Sequence, residues 1–80
     1  MSIEKLSIRQ IKAARELLGW SQRDLAKHSG VSLPTIMRLE AAGGELGGRK
    51  STADAIRAAF EAAGLVFIFR NGGGLGVRLR

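Results

Sequence analysis

The sequence predicts a mainly α fold, four short helices followed by a C-terminal β-hairpin, on three observations. Ser7, Ser21 and Ser51 each precede an apolar run and are each followed three residues later by Gln10, Asp24 and Asp54, the pairing that starts a helix with reciprocal caps. Gly19, Gly30 and Gly64 stand where those runs stop. Beyond Gly64 the chain changes to β-branched and aromatic residues interrupted by a glycine-rich turn.

The first helix opens at Ser7-Ile8-Arg9-Gln10, with Ile8, Ile11, Ala14, Leu17 and Leu18 as its inward stripe and Arg9, Lys12, Arg15 and Glu16 toward water. Ser21-Gln22-Arg23-Asp24 opens a second helix of about two turns, which carries Leu25 and Ala26 and ends at Ser29-Gly30. Ser32-Leu33-Pro34-Thr35 opens the third. Proline is accepted in a first turn because its missing donor has no helical acceptor there, and the cap is Ser32 or Leu33, since a residue before proline avoids the helical region. Ile36 and Leu39 then face inward, with Thr35, Met37, Arg38 and Glu40 around them. Ala41 to Lys50 holds four glycines and ends in Arg49-Lys50, which reads as a flexible basic loop. Ser51 to Asp54 caps a fourth helix whose stripe is Ala55, Ile56, Ala59, Phe60 and Ala63. Leu65 to Phe69, a turn over Arg70 to Leu75, and the alternation of Val77 and Leu79 with Arg78 and Arg80 make the hairpin.

Composition narrows the function. Eighty residues leave room for one core, and chains this short usually need a disulfide, a metal or a partner subunit. There is no cysteine, and a single histidine, His28, is too few for a zinc site, so no cofactor or metal is expected and a second copy of the chain is the remaining staple. No stretch is long and apolar enough for a membrane span or an export signal, and a cytoplasmic location is the default expectation. Thirteen Lys and Arg against seven Asp and Glu give a net charge of +6, which points to a polyanionic partner. Neither a catalytic pair nor a phosphate-binding Gly-x-x-x-x-Gly-Lys pattern is present in the sequence, so no enzymatic activity is expected.

Two short helices joined by a glycine turn form the bihelical unit that offers its second helix to the DNA major groove. From Gln22 to Glu40 the small Ala26, the turn residue Gly30 and the apolar Leu25, Val31, Ile36 and Leu39 stand at the separations this unit needs. Ser21 to Glu40, preceded by Trp20 and extended by the first and fourth helices to about residues 7–64, resembles the Cro and phage-repressor family, also called XRE. The resemblance implies a double-stranded DNA-binding regulator whose third helix, residues 32–40, enters the groove. It places Gln22, with Arg23 beside it, on phosphate at the start of the second helix, and Ser32, Leu33, Pro34, Thr35 and Arg38 near base edges. Leu33 and Pro34 depart from the polar residues usual there and offer only apolar contact with a thymine methyl, leaving Arg38 to read guanine. Arg49, Lys50 and Ser51 fall where the family grips the DNA backbone, and Arg15 and Glu40 at positions that pair internally. Trp20 is expected to pack between helices and His28 to lie at the surface.

On this reading residues 1–64 are the DNA-binding domain and residues 65–80 a dimerisation element of the same domain. The apolar run on both faces of the first strand needs cover, and Val66, Phe67, Ile68, Phe69, Val77 and Leu79 are the expected contacts with a second copy, edge to edge or face to face. The other arrangement is a monomer whose hairpin packs only on its own fourth helix. A homodimer sets two reading helices on a near-palindromic operator. The leading expectation is therefore a repressor; the alternatives are an antitoxin that binds a toxin as well as DNA, and a protein-interaction adaptor on the same fold.

Overall fold

Reciprocal caps start the first two helices, as expected. The Ser7 hydroxyl accepts from the Arg9 amide while Gln10 Oε1 accepts from the Ser7 amide at 2.9 Å, and Ser21 and Asp24 repeat the device. The computed structural model describes residues 5–69 and 73–80, so the first part of the expected turn over Arg70 to Leu75 lies outside the described residues. In chain order it runs α1 (Ile8–Leu18), α2 (Gln22–Ser29), α3 (Leu33–Ala42), α4 (Lys50–Ala62), β1 (Leu65–Ile68) and β2 (Gly76–Leu79). Ser32 is the α3 cap, its hydroxyl accepting from the Thr35 amide, which resolves the choice between Ser32 and Leu33.

Ile8, Ile11 and Ala14 of α1, Leu25 of α2, Ile36 and Leu39 of α3, and Ile56 and Phe60 of α4 converge on one core that also receives Leu65 and Phe67 from β1. Trp20 lies against this core between two rings. It stacks on Phe60 at 5.6 Å from inside and on the exposed His28 at 4.2 Å from outside. His28 is therefore at the surface as expected, but its ring is held flat on the indole rather than free in water. Leu17, expected to face inward, is 46% exposed, because the α1 stripe is already complete with Ile8, Ile11 and Ala14.

The stretch after α3 departs from the expected loop in three ways. Ala41 and Ala42 continue the helix, since the first glycine that can break it is Gly43. Gly43 and Gly44 then take φ of 67° and 70°, a left-handed pair that turns the chain back beside the N-terminal segment. There the Gly44 carbonyl accepts from the Ile8 amide at 2.8 Å, Leu46 donates to the Leu6 carbonyl at 2.7 Å, and Leu6 and Leu46 both enter the core. The glycines thus shape a clamp. Finally, α4 begins at Lys50, ahead of its Ser51 signal: Arg49 holds the cap position with no side-chain hydrogen bond, and Ser51 lies inside the first turn.

The hairpin pairs antiparallel, Leu65 with Leu79, Val66 with Arg78, Phe67 with Val77 and Ile68 with Gly76. Alternation turns Leu65 and Phe67 into the core and leaves Val66 and Ile68 half-buried on the other face. Phe69 lies just beyond the strand, packed against the core with the Arg57 guanidinium 5.3 Å from its ring centre. Gln10, 3% exposed, ties the hairpin to α1. The same side chain that caps α1 donates through Nε2 to the carbonyls of Ile68 and Gly76, both at 3.0 Å, one from each strand.

Replacing Gln10 by Leu keeps the volume and removes both donors. We expect a loss of about 1–3 kcal/mol in urea unfolding, with amide exchange accelerating most in residues 65–68 and 76–79. An unchanged midpoint in that titration contradicts this role for Gln10.

Candidate nucleic-acid interface

The turn between α2 and α3 is closed by Gly30 at φ 78°, a conformation that a side chain disfavours, and by the Ser29 hydroxyl, which accepts from the Val31 amide. Leu25, Ile36 and Leu39 are buried between the two helices, and Ala26 and Val31 pack at the margin. The other end of α3 is held by charge. Glu40 is 4% exposed and its two oxygens accept from Arg15 Nε at 2.8 Å and Arg15 Nη2 at 2.7 Å, a two-pronged pair matched in shape. Gln22 Nε2 adds a third donor to the same carboxylate at 3.1 Å, and Arg15 Nη1 donates to the Trp20 carbonyl. No buried side-chain nitrogen or oxygen among the described residues is left without a partner.

With its inner face so fixed, α3 presents Pro34, Met37, Arg38 and Ala41 to solvent, residues three and four apart on one flank. Ser32 and Thr35 join their hydroxyls at 2.9 Å at the start of the helix, and Leu33 is half-buried beside them. Between α3 and the start of α4 runs a cleft of about 310 Å³ lined by Thr35, Arg38, Leu39, Gly48, Arg49 and Thr52. Arg38 and Arg49 are exposed there without an intramolecular hydrogen bond or ion pair among the described residues. Above the cleft, the first amides of α4 have no side-chain cap, and a helix start of this kind favours anions through its free donors and its dipole.

The remaining expected contacts lie around this surface. Arg23 is exposed at the start of α2, whereas the Gln22 carboxamide is half-buried and spends one donor on Glu40. Lys50 Nζ sits 2.8 Å from the Asp54 carboxylate with both side chains mostly exposed, a pair that costs little to open. Ser51 is exposed in the first turn of α4. Of the expected hairpin contacts, Val66, Ile68 and Val77 are half-buried and Leu79 is 54% exposed, while Phe67 is enclosed in its own chain, edge-on to Phe60. Sequence reasoning passed over Ala41 and Thr52, and counted Met37 toward the adaptor but not among the DNA contacts. The 34, 37, 41 spacing was readable, but the glycines after Ala42 suggested that the helix had already ended.

A family model described as helix-turn-helix matches residues 11–50, half of the 80 residues and the whole of the α2–turn–α3 unit. The chain belongs to the helix-turn-helix family of the Cro and phage-repressor type, also called XRE. No curated protein matches it significantly. This XRE protein is a DNA-binding helix-turn-helix regulator of transcription, and its family is a regulatory rather than an enzymatic one. None of its described helices is long and apolar enough to cross a membrane.

Within this XRE protein the start of α2 responds to acid. The Ser21 amide and, after it, the Ser21 hydroxyl stabilise the ionised Asp24 carboxyl and hold it below its ordinary value of 3.8, with smaller help from His28 and Lys27. A carboxyl lowered on folding stabilises the fold fully above its unfolded value, and that contribution is lost as pH falls through the lowered one. A carboxylate-carbon NMR titration is expected to place Asp24 below 3.8, and a midpoint at or above that value refutes the cap's charge dependence.

Proposed function

We propose that this protein is a sequence-specific repressor that binds a near-palindromic operator as a homodimer, with α3 in the major groove. The observation that carries the reading is the cleft where Thr35 and Arg38 of α3 meet Arg49 and Thr52 at the uncapped start of α4. It sets a groove-reading flank and a phosphate-binding rim side by side. Arg38 is the guanine reader, because its fork matches the two acceptors on that base. Thr35, Ser32, Leu33 and Pro34 complete the base-facing end. Arg49, Lys50, Ser51, Gln22 and Arg23 contact phosphates, which position the protein without specifying sequence. For Gln22 the contact is made by its backbone amide and remaining side-chain donor, since the other donor stays on Glu40.

Dimerisation falls to residues 65–80. Among the described residues the sheet has two strands, so both outer edges carry backbone groups without a strand partner there, and Val66, Ile68, Val77 and Leu79 supply apolar surface beside them. Joined to a second copy, the hairpin sets two α3 helices about 34–36 Å apart, one turn of duplex. The exposed Pro34 and Met37 on α3 are what supports the adaptor as a second reading.

Titration with random duplex DNA separates the two. A phosphate-contacting protein is expected to lose about 10³-fold in affinity between about 50 and 200 mM salt, whereas an adaptor does not bind even at low salt. On a selected operator, Arg38→Ala is expected to relax preference at one base pair by a factor corresponding to about 1–3 kcal/mol. Lys50→Ala instead weakens all sequences alike and lowers the salt slope by about one. Light scattering is expected to give twice the 8.5 kDa chain mass, and a monomer at tens of micromolar removes the hairpin's proposed role.

A further inference from the structure

The outward flank of α3 is chemically unusual for a surface that reads bases. Between Leu33 and Ala42 the charged side chains are Arg38 and Glu40, and Glu40 is buried against Arg15, so Arg38 is the one charge on that flank. The hydroxyls of Ser32 and Thr35 already bond each other at 2.9 Å. What remains exposed around Arg38 is apolar: Pro34, Met37 at 50% exposure, and Ala41 one further turn along. An exposed apolar stripe beside Arg38 and Arg49, cations unpaired among the described residues, with Lys50 in an easily opened pair, matches a partner that offers both apolar and anionic groups.

The floor of the major groove is such a partner. Its one apolar feature is the C5 methyl of thymine, and phosphates border it on both sides. Pro34 to Ala41 spans about 10 Å of helix, or about three base-pair steps. We infer that Met37, flanked by Pro34 and Ala41, is a specificity-determining residue that reads thymine methyl groups next to the guanine bound by Arg38. The inference rests on α3 entering the groove and names what it selects there. Met37 suits the task, since an unbranched thioether adapts its shape to a methyl whose position shifts with local DNA geometry. Leu33, half-buried against the protein, contributes less.

The test uses the full chain and a duplex selected from a random pool, with each thymine replaced in turn by deoxyuridine. That change deletes the C5 methyl and keeps every hydrogen-bonding group. Burial of one methyl corresponds to about fourfold in affinity, and a loss of that size is expected at one to three thymines per half-site adjoining a guanine. Met37→Ala is expected to bind the parent duplex about fourfold more weakly, to show no further loss with deoxyuridine at the position it faced, and to keep the wild-type salt slope. Met37→Leu restores most of the discrimination. Because Met37 is half exposed, neither change threatens the fold, and unaltered thermal melting verifies that. Indifference to deoxyuridine at every position, or a full methyl effect in Met37→Ala, overturns the inference while leaving groove binding intact. Failure to bind any duplex at low salt overturns both and makes the stripe a protein-docking surface.

Discussion

The Glu40 carboxylate is the point on which the geometry of the helix-turn-helix unit turns. Removing a carboxylate from water costs several kcal/mol, and only a full set of donors offsets that. Here three donors come from two helices, two from Arg15 on α1 and one from Gln22 at the start of α2, and all meet Glu40 on α3. Apolar packing between these helices is non-directional and tolerates sliding or rotation. A bidentate guanidinium does not, because its two bonds hold only in one plane and at one separation. The pair therefore adds rotational definition to α3 and, with it, to the exposed flank. With Ile36, Leu39 and Glu40 committed inward, Pro34, Met37, Arg38 and Ala41 have nowhere to go but out.

Helix α1 carries this definition to the opposite end of the molecule. Arg15 near its C-terminus holds α3, while Gln10 near its N-terminus holds one carbonyl from each hairpin strand. Helix α3 and the hairpin are thus fixed to one rigid rod of 11 residues. In the proposed homodimer, where half-site spacing would be set by the distance between two α3 helices, such a connection matters more than the modest stability it contributes. The N-terminal segment and the glycine-rich stretch after α3 brace the same rod, since Leu6 and Leu46 cover its start and the Gly44 carbonyl takes the Ile8 amide.

Electrostatics divides the labour on the surface. The ion pairs Lys50 with Asp54 and Arg57 with Glu61 are each one helical turn apart on α4, the first mostly open to water and the second half-buried, and pairs of this kind contribute little to folding. Arg38 and Arg49, without such partners among the described residues, keep their full charge for an external anion. These two cations line one cleft, and like charges so placed repel each other until an anion lies between them.

The helices were legible because their signals are local. A serine with its partner three residues on, a stripe at three and four, and a closing glycine all act within one turn of chain, and α1, α2 and the start of α3 formed as read. The hairpin was legible for the same reason, through alternation and a glycine-rich turn. What the sequence could not disclose depends on residues far apart in the chain. Gln10 looked like a cap alone, since nothing local announces that its second function is to bond strands 58 and 66 residues away. Glycines 43 and 44 looked like slack, since a positive φ becomes structure only when Leu6 and Ile8 arrive to pair with Gly44 and Leu46. The family pattern named Arg15, Glu40 and the positions expected to face the groove. Which flank of α3 is open, that it is largely apolar, and that Arg38 meets Arg49 across one cleft were decided by tertiary packing, because a helix has no outside until its inside has been chosen.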